Sequence, residues 1–178
     1  MPHLNVEFKA SAENVLMLEN KLKGLNALYT GEDHQVDTYF NVTKGRLKLR
    51  EGNIENSLIY YERENIAGIK QSKILLYRHN PDKILKEILV TTHGIKVVVK
   101  KLRRIYFREN VKFHFDVVDG LGSFIEVEAI DADNTIGLKK LEEQCNYYAA
   151  FFEIEEGQYV DVSYSDMIIE KWLDITTS

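Results

Sequence analysis

Apolar and polar positions alternate over much of this chain. In residues 3–10, Val6 and Phe8 are apolar while Glu7 and Lys9 are charged. Strand side chains point alternately to opposite faces, so this spacing predicts a first strand with one apolar and one ionic face. The same reading predicts strands over 35–41, 45–51, 57–64, 72–78, 95–106, 110–117 and 123–130. Gly45, Glu51-Gly52-Asn53 and Asp119-Gly120 with Gly122 supply turns between them. Elsewhere the period lengthens. Val15, Leu18, Leu22, Leu25 and Leu28 recur at helical spacing and predict a helix within 11–28, with Ser11 as its N-cap. Asn80-Pro81-Asp82 opens a second helix with Ile84, Leu85, Ile88 and Leu89 as its buried stripe, ended by Gly94. A third helix over 134–149 carries Ile136, Leu138, Leu141, Cys145 and Tyr148 on or near one side. A short helix over 163–173 follows, packed by Trp172. Antiparallel strands with helices near the start, middle and end give an α+β fold class.

Composition narrows the picture. A chain of 178 residues with 44% hydrophobic and 29% charged side chains fits one globular domain, expected to span 1–178. Pro2 and Pro81 are the only prolines, and no Gly/Ser-rich linker divides the chain. Cys145 stands alone, so no internal disulfide is available, which fits a reducing, cytoplasmic setting. No apolar run reaches the roughly 20 residues needed to cross a bilayer, so no membrane partner is expected. The net charge of −5 argues against a general nucleic-acid binder. Yet residues 96–104 are strongly basic, while residues 150–178 hold seven acidic side chains against the single Lys171. Basic strands inside an acidic protein suggest an enclosed anion site.

Sorting the strands by face sharpens that suggestion. Arg46, Lys48 and Arg50 share a face against Leu47 and Leu49. Lys112, His114 and Asp116 oppose Phe113 and Phe115, and Glu126 and Glu128 oppose Ile125 and Val127. A half-exposed antiparallel sheet also turns a polar face to water. Here, however, the polar faces are almost wholly ionic and segregate by sign. Arg46/Lys48/Arg50 and Lys101/Arg103 are cationic, whereas Glu126/Glu128 and Asp116 are carboxylates. Carboxylates suit Mg²⁺ or Mn²⁺, and Lys and Arg neutralise phosphate oxygens, so the pattern suits a metal-bridged polyphosphate. On the same parity His114 is a polar wall residue, and Tyr61 shares the face of Arg63. Lys101 and Arg103 point inward rather than forming a nucleic-acid patch. Cys145 is core packing, and His3, His34, His79 and His93 fall in ends or loops.

Several segments, in order, resemble the CYTH superfamily, and most closely its class IV adenylyl cyclase-like branch. They are Asn5-Val6-Glu7-Phe8-Lys9, Gln35-Val36-Asp37-Thr38-Tyr39-Phe40, Gly45-Arg46-Leu47-Lys48-Leu49-Arg50-Glu51 and Leu58-Ile59-Tyr60-Tyr61-Glu62-Arg63. Further on come Lys101-Leu102-Arg103, Phe113-His114-Phe115-Asp116 and the run from Gly120 to Glu128. The resemblance implies an antiparallel β-barrel open at both ends, the triphosphate tunnel, with helices packed outside. It also implies a dependence on Mg²⁺ or Mn²⁺ and a homodimer. It makes Glu7, Glu126 and Glu128 metal ligands with Asp116 assisting. It makes Lys9, Lys48, Arg50, Arg63, Lys70, Lys101 and Arg103 the triphosphate contacts, and places Glu7, Lys9, Lys101 and Arg103 at the chemistry. The implied reaction is conversion of ATP to cyclic AMP and pyrophosphate. The same residues suit hydrolysis of thiamine triphosphate, tripolyphosphate or a nucleotide, or a non-catalytic sensor of such molecules. One departure stands out. The family signature begins Glu-x-Glu-x-Lys, and here its first Glu is Asn5, which brings an oxygen but no charge. A weaker metal position or fewer metals is expected.

Overall fold

The faces of the first strand decide what lies inside the molecule and what lies outside. The computed structural model of the chain describes residues 3–62 and 68–177. Its strands are β1 (His3–Ser11), β2 (Leu28–Phe40), β3 (Arg46–Glu51), β4 (Ser57–Glu62), β5 (Lys70–Arg78), β6 (Ile95–Arg108), β7 (Val111–Val118) and β8 (Gly122–Asp131). Its helices are α1 (Val15–Lys23), α2 (Lys83–His93), α3 (Leu138–Phe151) and α4 (Tyr164–Thr177). The strands close into a barrel in the order β1-β5-β4-β3-β2-β6-β7-β8, and β8 pairs back onto β1. Every neighbouring pair is antiparallel, so the expected α+β barrel with helices outside is what the chain forms.

Outward residues hold the helices. Val6, Phe8 and Ala10 of β1 join Phe113, Phe115, Ile125, Val127 and Ala129 in a cluster completed by Leu18 and Leu22 of α1 and Leu141 and Cys145 of α3. Cys145 is fully buried there and its thiol donates to the Val6 carbonyl. A smaller outer cluster of Phe40, Leu49 and Leu89, flanked by Leu47, Leu58 and Leu85, seats α2. Each fully buried side chain of this size contributes about 1.5–3 kcal/mol, and here that contribution also fixes which strand faces turn inward.

Four expectations change. Asn14, not Ser11, caps α1: its Oδ1 accepts from Met17 N, while Ser11 is still paired with Phe124 in the barrel. β2 begins at Leu28, because it must run the length of β6 to pair with it. Of the α2 stripe, Leu89 is buried and Leu85 packs beside it, but Ile84 and Ile88 are exposed. Trp172 is half exposed rather than seated in a core cluster. The predicted end of the 57–64 strand, with Arg63, lies outside the described residues. No described helix is long and apolar enough to cross a membrane.

Candidate active site

Inward-facing side chains change character in three steps along the barrel. At one end Tyr39, Val97, Val99, Val118 and Phe124 point inward, in parity with Asp37, Lys101, Asp116 and Glu126. Tyr164 and Ile168, from the start of α4, pack among them. These apolar side chains form a floor at this end of the tunnel. The cause is long-range: the segment leading into α4 reaches back to β1, with Val160 N bonded to the Lys9 carbonyl. A cavity of about 630 Å³ remains above the floor.

Its middle is ionic. The register sets Glu7 of β1 opposite Lys70 of β5 and Glu128 of β8, and Lys9 opposite Glu126. Arg50 of β3 faces Asp37 of β2, and Arg103 of β6 faces Asp116 of β7. Cross-strand partners share a face, so these charges meet inside the barrel. Asp37 accepts from Arg50 Nε at 2.8 Å and Nη2 at 2.9 Å, from Lys101 Nζ at 2.7 Å and from Lys48 Nζ at 3.2 Å. Burial alone would raise its pKa, but Arg50, Lys101 and Lys48 together hold it well below the usual carboxylate range. Lys101 moves the other way. Burial first, then the charges of Arg50, Arg103 and Lys48, lower it to about 7 against the pull of Asp37.

Arg103 is the second hub. Its Nε and Nη2 meet Asp116 at 2.7 and 2.5 Å, and Nη2 also reaches Glu126 at 2.8 Å. Tyr164 donates its hydroxyl to Asp116 at 2.8 Å. Both oxygens of Asp116 are thus engaged by Arg103 and Tyr164, which holds the Arg103 fork in place. His114 Nδ1 lies 3.2 Å from Glu126. Burial and the nearby Arg103 and Lys112 charges push that imidazole down to about 3, so it is neutral at ordinary pH. Lys9 Nζ donates to the Val162 carbonyl at 3.0 Å and sits 4.2 Å from the Tyr164 ring centre. Lys70 Nζ donates to the Val160 and Asp161 carbonyls at 3.2 and 3.0 Å, which sets it against the segment before α4. Arg46 pairs with Asp166 of α4 at 2.7 Å.

Glu7, Glu126, Glu128 and Asn5 all line the cavity. Burial and the adjacent Glu7 carboxylate raise Glu128 to about 7. Asn5 is buried, donates its amide N–H to Glu128, and leaves its own Oδ1 without a hydrogen-bond partner. Crowded carboxylates beside an unsatisfied amide oxygen are the donor set of a hard divalent cation, so these residues fit one by type. Among the described residues no three Asp, Glu, His or Cys side chains are already gathered around a common point. Glu126 in particular faces Arg103 and His114.

The third step is the open mouth. Here Ile54, Ile74, Leu76, Phe107 and Ile130 line the cavity, together with Glu55, Lys112, Arg78, His79 and Asn80. Sequence reasoning gave no role to Asp37, Glu55 or Tyr164. Asp37 carried a signal, as an acidic residue at an inward position of β2. Glu55 lies in a turn and Tyr164 on a helix end, where alternation says nothing.

A family model, the CYTH domain, matches residues 3–157. The chain belongs to the CYTH domain family. CYTH proteins are metal-dependent triphosphate-tunnel enzymes, and the ionic barrel described above is that tunnel. A candidate adenylate cyclase of Methanocaldococcus jannaschii is 26% identical over 173 residues, covering 92% of this chain and 98% of its own length. Among solved structures, the PH1012 protein of Pyrococcus horikoshii superposes with a TM-score of 0.76 at 22% identity, covering 91% of this chain and 98% of that one. A Hippeastrum protein described as an adenylyl cyclase candidate with a dominant triphosphatase activity shares the fold at a TM-score of 0.60 and 12% identity, with 94% of each chain covered.

Proposed function

We infer that this CYTH protein cleaves the triphosphate of a nucleotide in a metal-dependent reaction, with conversion of ATP to cyclic AMP and pyrophosphate as the leading form. The observation that carries this reading is the cavity itself: a belt of Lys9, Lys48, Arg50, Lys101 and Arg103 above an apolar floor, with a mouth lined by both apolar and polar side chains, Arg78 among them. Such a vessel takes a polyanion inserted end first.

Glu7, Glu126 and Glu128, with the Asn5 oxygen, would hold Mg²⁺ or Mn²⁺. Bound there, the ion supplies Lewis acidity and neutralises phosphate charge. Arg50 and Arg103 present planar forks that match phosphate oxygens, and Asp37 and Asp116 hold those forks in place. Lys9, Lys48 and Lys101 add point charges around the same belt. In the cyclase reading the ribose 3′-hydroxyl attacks the α-phosphorus and gives up its proton to water, a new P–O bond forms as the bond from the α-phosphorus to the α,β-bridging oxygen breaks, and pyrophosphate leaves with its charge neutralised by these cations. Positioning and fixed charge account for most of the rate.

One observation favours a second reading, hydrolysis. Lys101, lowered to about 7, stands near the floor, 5.9 Å from the Tyr164 ring centre, where the last phosphate of an inserted triphosphate arrives. In its neutral form it can accept a proton from attacking water, releasing orthophosphate. Purified protein incubated with ATP, thiamine triphosphate or tripolyphosphate and Mg²⁺ or Mn²⁺ separates the readings. Cyclic AMP with pyrophosphate supports the first and orthophosphate the second. Tight binding without turnover leaves a sensor, and absence of binding removes the proposal.

A further inference from the structure

Along β1 the charge inside the barrel stops at a definite level. Cross-strand sets follow one another from floor to mouth. Lys9, 4.2 Å from the Tyr164 ring centre, faces Glu126. Glu7 faces Glu128 on one side and Lys70 on the other, and Asn5 faces Ile130 and Ser72. Successive sets lie about 6–7 Å apart, the length of two residues of strand. The sets of Lys9 and Glu7 are ionic, and the set of Asn5 is neutral. Asn5, Ser72 and Ile130 all line the cavity, so this neutral set meets a ligand where the charged wall of β1 ends.

Ser72 is 2% exposed, and among the described residues its Oγ has no hydrogen-bond partner. A buried hydroxyl in that state is uncommon, because its hydration is lost without return. An apolar side chain would avoid this cost, and Ile74 and Leu76 follow on the same face of β5. Asn5 Oδ1, on the neighbouring strand, is buried and unpartnered in the same way. That oxygen only accepts, and it is the one offered to the cation above. The Ser72 hydroxyl both donates and accepts.

We propose that Ser72 binds a ribose hydroxyl, and so selects a ribonucleoside triphosphate among the triphosphates that the ionic belt can hold. This rests on the triphosphate reading above. With the terminal phosphate beside Lys9 and Lys101, the phosphates occupy the ionic sets, and the first uncharged part of the ligand reaches the neutral one. In a ribonucleotide that part is a sugar whose hydroxyls can each donate to or accept from Ser72 Oγ. In thiamine triphosphate it is an alkyl chain, and tripolyphosphate has no such part, so both leave the serine unsatisfied. A site that holds a buried group for a ligand hydroxyl discriminates against the analogue that lacks it.

The test is calorimetric titration of the full chain, with Mg²⁺ present, by ATP, 2′-deoxy-ATP, 3′-deoxy-ATP and tripolyphosphate. The wild-type protein is expected to bind ATP about five- to tenfold more tightly than one of the deoxynucleotides, the worth of one hydrogen bond. The weaker deoxynucleotide names the hydroxyl that Ser72 holds. In Ser72→Ala the preference falls to about twofold or less, while tripolyphosphate, which carries no sugar, binds as it does to wild type. Equal wild-type affinity for all three nucleotides overturns the proposal and leaves the triphosphate reading intact. So does a preference that survives in Ser72→Ala, or an equal loss of tripolyphosphate binding in that variant, which would give Ser72 a purely structural role. Failure of every one of these anions to bind the wild-type protein overturns both.

Discussion

Lys101 Nζ lies 2.7 Å from Asp37 Oδ2, and each side chain is only 1% exposed. Asp37 is shared with Arg50 and Lys48, so one carboxylate holds three cations in the wall of the barrel. The pair couples the stability of the barrel to its chemistry. Asp37 keeps the cations folded inward, and burial, with the positive charge of Arg50, Arg103 and Lys48, lowers Lys101 toward neutrality.

Removing the Asp37 charge leaves three buried or nearly buried cations without their main partner. Asp37→Asn is expected to lower stability by about 3–5 kcal/mol, seen as a lower urea midpoint. Added tripolyphosphate restores part of the loss, because it binds only the folded state. An unchanged midpoint would show that Glu55 and the remaining acceptors suffice.

Lys101 gives a pH signature. Its folded pKa of about 7 lies below its unfolded value, so the unfolded chain binds more protons between about pH 7 and 10.5. The contribution of this group to stability therefore rises with pH across that window. For orthophosphate release, kcat/KM is expected to climb through about pH 7 as Lys101 loses its proton. Lys101→Arg, which stays charged, should lose roughly 10²–10⁴-fold in that rate while still binding triphosphate. A flat profile, or an active arginine variant, excludes Lys101 as the base.

The floor depends on Tyr164. Its ring packs against Phe124 at 4.9 Å between centroids, and its hydroxyl donates to Asp116. Tyr164→Phe is expected to cost about 1 kcal/mol, the net worth of one hydrogen bond. Tyr164→Ala should cost about 3–5 kcal/mol through the space it leaves. Thermal unfolding measures both, and similar losses in the two variants would mean that the ring does not seal the floor.

Glu126→Ala is expected to abolish metal-dependent turnover while the circular dichroism spectrum stays native, because Arg103 retains its two contacts with Asp116. Activity equal to wild type would remove Glu126 from the metal seat.

Period-two alternation made much of this legible. Glu7 and Lys9 against Val6 and Phe8 follow from strand geometry alone, and each ionic row assigned to a shared face turns inward with the register to match. Where residues make their decisive contacts far away in sequence, the pattern carries no information. Tyr164 reaches Asp116, and Asp33 reaches Ile54 and Glu55, through closure of the barrel and the return of the chain to it. Helical periodicity overreached at Ile84 and Ile88, since one apolar stripe can be wider than the surface available to cover it. Asn14 rather than Ser11 caps α1 because barrel pairing claims Ser11 first.

The central claim is that the belt of Lys48, Arg50, Lys101 and Arg103 grips a triphosphate together with a divalent cation. Calorimetric titration of tripolyphosphate into the full chain, with Mg²⁺ and then with a chelator, tests it most directly. The account predicts one saturable site with Mg²⁺, weakened by about tenfold or more both on chelation and in Arg50→Ala. No saturable binding in the presence of Mg²⁺, or binding indifferent to Arg50, would contradict it.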